Sequence, residues 1–135
     1  MKAADSSLVV AAFASWHQTH AAARQALDGG MQLIEHCALE AYSVLTRLPP
    51  PHRAPPNVVR DFLAARFPGP FLRLSPKEHR QFLLDLPVRA IAGGAAYDAL
   101  VAATAAAHGA ELVTCDRRAV PIYERYGVLS KILSP

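Results

Sequence analysis

Apolar positions along the chain come in short runs, broken by glycine, proline and small polar residues, and the period of each run predicts its element. Lys2–Asp5 reads as a short strand. The apolar run from Leu8 to Trp16 fits strand or helix by period alone. The Asp5-Ser6-Ser7 cluster decides it, because these side chains cap helix N-termini, so a helix is placed directly after the strand. A second helix covers His17–Leu27 and stops at Gly29-Gly30. Met31–Ile34 reads as a strand. Cys37–Leu48 reads as a helix, with Leu39, Tyr42, Leu45 and Leu48 at helical spacing.

Residues 48–56, LPPPHRAPP, hold five prolines in nine positions. Proline removes a backbone donor and restricts the residue before it, so this stretch is a rigid loop between helices and not a domain boundary. A helix follows over Val58–Phe67, ended by Pro68-Gly69-Pro70, and then a strand at Phe71–Leu74. Ser75-Pro76-Lys77-Glu78 has a capping Ser, a Pro at the first helical position and an acid at the capping-box position, opening a helix to about Leu86. Gly93-Gly94 precede an alanine-rich helix, Ala95–His108, closed by Gly109. The chain ends with a strand at Glu111–Thr114, a short helix at Ala119–Tyr126 and a strand at Val128–Leu133. Strands alternating with helices predict an α/β fold, with a parallel sheet covered on both faces.

The length of 135 residues fits one domain, residues 1–135, and a hydrophobic content of 52% is enough for a single core. No apolar run approaches the roughly 20 residues that span a bilayer. The N-terminal run is interrupted by Asp5 and followed by His17 and His20, which argues against a signal peptide, and a cytoplasmic protein without membrane contact is expected. Cys37 and Cys115 make neither a disulfide framework nor a CxxC pair. His17 and His20 lack the further Cys or His that a tetrahedral zinc site requires. The net charge is +3, and 11 of the 14 basic residues are arginine, but they are scattered. Charge alone is weak support for a nucleic-acid partner.

The acids carry more information. Asp5 follows the first strand and Asp116 follows the strand at 111–114. In an open parallel sheet, sites form outside the carboxyl ends of strands, where strand order switches. Glu40 and Asp98 lie early in their helices. Each acid alone is explained by helix capping or the helix dipole. All four, however, stand in apolar surroundings (MKAAD, CALEAY, GAAYDALVAA, LVTCD). Desolvated carboxylates converging on one place repel one another and raise each other's pKa unless a cation intervenes. Asp28, Asp61, Glu78, Asp85 and Glu124 read as surface charges. Neither a Ser/His/Asp order nor a phosphate-cradling glycine loop is present.

Three segments together resemble the PIN-domain family, in particular its VapC-type toxin ribonucleases. KAADSSLVVAAF is similar to the family's opening strand ending in Asp and followed by Ser or Thr. HCALEAYSVLTRLP resembles its central helix with Glu. AAYDALVAATAAAHGAELVTCDRRA resembles its most specific segment, an Asp helix, a Gly, a strand and then Thr-x-Asp. The resemblance implies a PIN-like fold, with a central mostly parallel sheet flanked by helices on both faces. It also implies a metal-dependent endoribonuclease of a type II toxin–antitoxin module, using Mg²⁺ or Mn²⁺. Asp5, Glu40, Asp98 and Asp116 then form the acidic site, as catalytic residues and metal ligands, with Ser6 and Thr114 as supporting hydroxyls. The implied partners are RNA, a VapB-type antitoxin that inserts a C-terminal segment into the acidic groove, and a second copy of the chain. Some members carry a further acid after the last Asp, where this chain has Arg117-Arg118-Ala119; those arginines are candidates to meet substrate phosphate or the antitoxin.

The ligand type agrees with that reading, since Mg²⁺ takes oxygen donors and keeps several waters. In two-metal sites one ion activates water and the other stabilises the leaving oxygen. The expectation is that Asp5 and Asp98 ligate directly, while Asp116 and Glu40 hold a second ion or orient water. A haloacid-dehalogenase-like phosphatase would want a second Asp two residues after the first, and position 7 is Ser. A non-catalytic PIN-like module that binds RNA or protein and a housekeeping RNA-processing nuclease are also compatible with these segments. The short chain favours the toxin.

Overall fold

Strand β1 (Lys2–Ala4) is only three residues long, yet Ala3 and Ala4 are both fully buried. Successive strand side chains point to opposite faces, so burial of neighbours means that both faces of the sheet are covered. In the computed structural model, which describes residues 1–135, β1 leads into α1 (Ser6–Phe13), α2 (His20–Asp28), β2 (Gln32–Leu33), α3 (Glu35–Arg47) and α4 (Pro56–Arg66). Then come α5 (Pro76–Asp85), α6 (Ala95–Ala107), β3 (Glu111–Thr114), a 3-10 turn (Arg117–Ala119), α7 (Val120–Arg125) and β4 (Ser130–Ile132). The fold is α/β.

All strand pairs are parallel, in the spatial order β2-β1-β3-β4. The chain leaves β1 toward β2 on one side, then crosses back to place β3 on the other side. The carboxyl ends of β1 and β3 therefore flank the point where strand order reverses, which is where an open parallel sheet has room for a site. Leu112, Val113 and Thr114 of β3 are all buried, as a central strand of such a sheet requires. The 28 buried residues of the hydrophobic cluster run from Ala3 to Val128, so helices and sheet share one core. In α6, Ala99, Ala102 and Ala105 are fully buried, and these small side chains let the helix approach its neighbours closely.

The expected elements are present, with adjustments at their ends and one larger change. The strand expected at Phe71–Leu74 is a single bridge between Ile34 and Leu72. Pro70 and Pro76 bracket it, and the bridging Ile34 lies just past β2, which is only two residues long. The second helix starts at His20, not His17, because residues 14–19 form turns in which the Thr19 N–H donates to His17 Nδ1. Helix α3 begins two residues earlier than expected, at Glu35, whose N–H donates to the Leu72 carbonyl. The last strand is shortened to Ser130–Ile132. No helix is long and apolar enough to cross a membrane.

Candidate acidic site

Asp5 follows β1 and caps α1. Its Oδ1 accepts from the Leu8 N–H at 3.1 Å and from the Ser7 hydroxyl at 2.6 Å, and its Oδ2 accepts from the Tyr123 hydroxyl at 2.8 Å. The side chain is nearly sealed, with 2% exposure. Because the Ser7 proton goes to Asp5, Ser7 Oγ is free to accept from the Thr114 hydroxyl at 3.1 Å and from the Cys115 N–H at 2.8 Å. Thr114 in turn accepts from the Asp116 N–H at 3.0 Å. This run of hydrogen bonds ties the end of β1 to the end of β3 across the switch point.

Glu40 comes from the second turn of α3. Its Oε1 accepts from the Ser6 hydroxyl at 2.5 Å, and its Oε2 accepts from His36 Nε2 at 3.1 Å. The His36 ring lies nearly parallel to the Tyr97 ring, with centroids 5.4 Å apart and a 7° interplanar angle. Tyr97 precedes Asp98 in the first turn of α6. Asp116 caps the 3-10 turn, accepting from the Arg118 N–H at 3.0 Å, with Arg118 Nε at 3.5 Å. Arg117 is exposed.

Burial pushes the Asp5 carboxyl above the usual carboxylate range, and the hydrogen bonds it accepts from Ser7, Tyr123 and the Leu8 N–H oppose that shift. The Asp98 carboxyl is raised first by partial burial, then by the charges of Asp116, Glu40 and Asp5; Arg118 pulls the other way. The charges of the other three acids thus reach Asp98 from separate parts of the chain. The Cys37 thiol is pushed well up by burial and by Asp5, Glu40 and Asp98, and Cys115 is raised to about 11, so neither is a ready thiolate nucleophile. Burial and the adjacent Asp5 raise the Tyr123 hydroxyl, which keeps it a proton donor to that carboxylate.

No group of three His, Cys, Asp or Glu side chains stands together as a ready-made ion cage. Mg²⁺ keeps most of its waters and needs only one or two carboxylates from a protein. The donors are all oxygen, and the repulsion at Asp98 is the kind a divalent cation removes.

The raised carboxyls make stability depend on pH. A carboxyl whose folded pKa is raised binds more protons folded than unfolded, so it costs stability progressively as pH rises from the unfolded value through the folded one. Without divalent metal, wild-type stability is therefore expected to fall relative to Asp98→Asn as pH rises from about 4 to 7, by a few degrees of Tm. Thermal melts of both proteins across that range check this. A gap that widens toward acid pH contradicts it.

Of the supporting hydroxyls expected here, Ser6 donates to Glu40, and Thr114 reaches Asp5 through Ser7. Ser7, Tyr123 and His36 were not anticipated. His36 had a signal, since a His four residues before a Glu on a helix shares its face. Tyr123, 118 residues from its partner Asp5, had none.

The PIN domain profile matches residues 3–126. The chain belongs to the PIN-domain family. It is 50% identical over 128 residues to a protein of Mycobacterium tuberculosis named ribonuclease VapC40, covering 95% of this chain and 96% of that one. It is 41% identical over 132 residues to ribonuclease VapC27 of the same species, covering 93% of this chain and 92% of that one.

Proposed function

We propose that this chain is a metal-dependent endoribonuclease, the toxin of a type II VapBC toxin–antitoxin pair, acting with Mg²⁺ or Mn²⁺. The observation that carries the reading is the match to the PIN domain over residues 3–126, in a chain whose Asp5 and Asp116 follow the two strands that flank the sheet's switch point. Membership of the PIN family and relatives named ribonucleases at 41–50% identity give the acids their reaction class.

In this reading Asp5 and Asp98 are the direct ligands, with Asp116 and Glu40 holding a second ion or orienting water. Bound metal supplies activation of water and neutralises charge on the phosphate. The chain's own work is positioning. Ser7 and Tyr123 fix both oxygens of Asp5, and Ser6 and His36 fix both oxygens of Glu40. Preorganised acceptors of this kind need no rearrangement when substrate arrives. Arg118 offsets Asp116, and exposed Arg117 is free to meet phosphate or an acidic stretch of an antitoxin. The partners proposed are RNA, a VapB-type antitoxin and a second copy of this chain.

The test is inducible expression in bacteria, with and without a cognate antitoxin, beside cleavage of total RNA by purified protein in Mn²⁺. Expected are growth arrest relieved by the antitoxin, and cleavage abolished by EDTA. RNA left intact in Mn²⁺, or cut equally well in EDTA, overturns the reading.

A further inference from the structure

We propose that Tyr97, backed by His36, is a stacking platform for one unpaired base of a single-stranded RNA, next to the phosphate held at the acidic site. The inference rests on the nuclease reading for the identity of the polymer, and on geometry for the rest. Tyr97 is 60% exposed although it is a large aromatic ring, and its ring lies parallel to that of His36 at 5.4 Å. His36 is itself fixed, because its Nε2 donates to Glu40 Oε2, whose partner oxygen is held by Ser6. His36 thus gives the Tyr97 ring a held neighbour, and the pair stands one residue from Asp98 and one hydrogen bond from Glu40.

Every base has a flat π-face, and aromatic side chains held in place are how single strands are gripped without reading their sequence. A duplex offers no such face, because its bases are already stacked. His36 also lines a groove of about 240 Å³ with Leu39, Arg73, His79 and Leu100. That groove has apolar walls for the next base and Arg73 for the next phosphate. A protein segment would also cover Leu39 and Tyr97, but the parallel ring pair and its attachment to the acidic site favour a base.

The experiment compares wild type, Tyr97→Phe and Tyr97→Ala on a labelled single-stranded oligoribonucleotide of mixed sequence and on the duplex of the same sequence. KM and kcat are measured in Mn²⁺, and binding is measured by anisotropy in Mg²⁺ in an Asp116→Asn background that does not turn over. Loss of one stacked base is expected to weaken single-strand binding and raise KM roughly tenfold or more for Tyr97→Ala. Tyr97→Phe stays near wild type, kcat changes less than KM, and duplex binding is unmoved. Equal single-strand binding by the Phe and Ala variants overturns the platform and leaves the ring to a protein contact. Equal weakening on duplex, or no single-strand binding by the parent, overturns it as well. Tyr97-dependent binding without any cleavage sinks the nuclease reading and spares the platform; cleavage indifferent to Tyr97 does the reverse.

Discussion

Asp5→Asn is expected to abolish RNA cleavage, by about 1,000-fold or more, without unfolding the protein. A loss of that size corresponds to about 4 kcal/mol of barrier, which is the scale of removing a direct ligand to the ion that stabilises a phosphoryl transition state. The structure gives the reason the fold survives. The carboxamide oxygen still accepts from the Leu8 N–H and the Ser7 hydroxyl, and the new amide group faces the Tyr123 hydroxyl. A charge that burial disfavours is gone, so in the absence of metal the variant melts above wild type at neutral pH. Adding Mn²⁺ then reverses the order, because an ion bound only by the folded wild type raises its Tm by mass action, while the variant gains little. Initial cleavage rates and melts with and without Mn²⁺ give both readouts. Activity above a tenth of wild type removes Asp5 from the chemistry. Should the variant melt well below wild type, Asp98→Asn, half-buried, carries the same activity test.

The largest stability loss near the site is expected from Ser7→Ala, about 3 kcal/mol or on the order of 10 °C in Tm. The Ser7 hydroxyl makes three contacts at once: it donates to Asp5, and accepts from Thr114 and from the Cys115 N–H. Alanine leaves a nearly sealed carboxylate short of a donor and a backbone N–H short of an acceptor, and an orphaned polar group costs more than a hydrogen bond is worth. Asp5 also loses its orientation, so cleavage falls about 10- to 100-fold, the usual scale for a group supporting a ligand. Ser6→Ala is the control. It removes one bond to a Glu40 side chain that is 40% exposed, and is expected to cost about 1 kcal/mol or less. Urea melts of the two variants decide it; equal losses mean that Ser7 is not the hub of the hydrogen-bond run. A cycle with Asp5→Asn separates the carboxylate contact from the rest, since neighbours in one network are not additive.

Much of the architecture was legible because it is local. The Asp5-Ser6-Ser7 cap turned an ambiguous apolar run into a helix, and α1 does start at Ser6 under an Asp5 cap. The capping box at Ser75 and Glu78 and the proline loop at 48–56 fall where their own backbone chemistry puts them. The expected strand at Phe71–Leu74 failed for a non-local reason. Strand propensity needs an edge to pair with, and here β2 stops at Leu33 and only Ile34 beyond it bridges to Leu72.

The order of the elements, the parallel sheet and the four candidate acids are written locally in the chain, because periodicity, capping and proline act within a few residues of themselves. Which hydroxyl serves which acid is a matter of packing. Ser6 and Ser7 are adjacent and alike on paper, yet a helix turns successive side chains about 100° apart, sending one to Glu40 and the other to Asp5. Packing also decides that a tyrosine 118 residues away donates to Asp5 and that the His36 and Tyr97 rings lie parallel. Contacts of that range depend on how helices cross a twisted sheet, which no window along the chain contains.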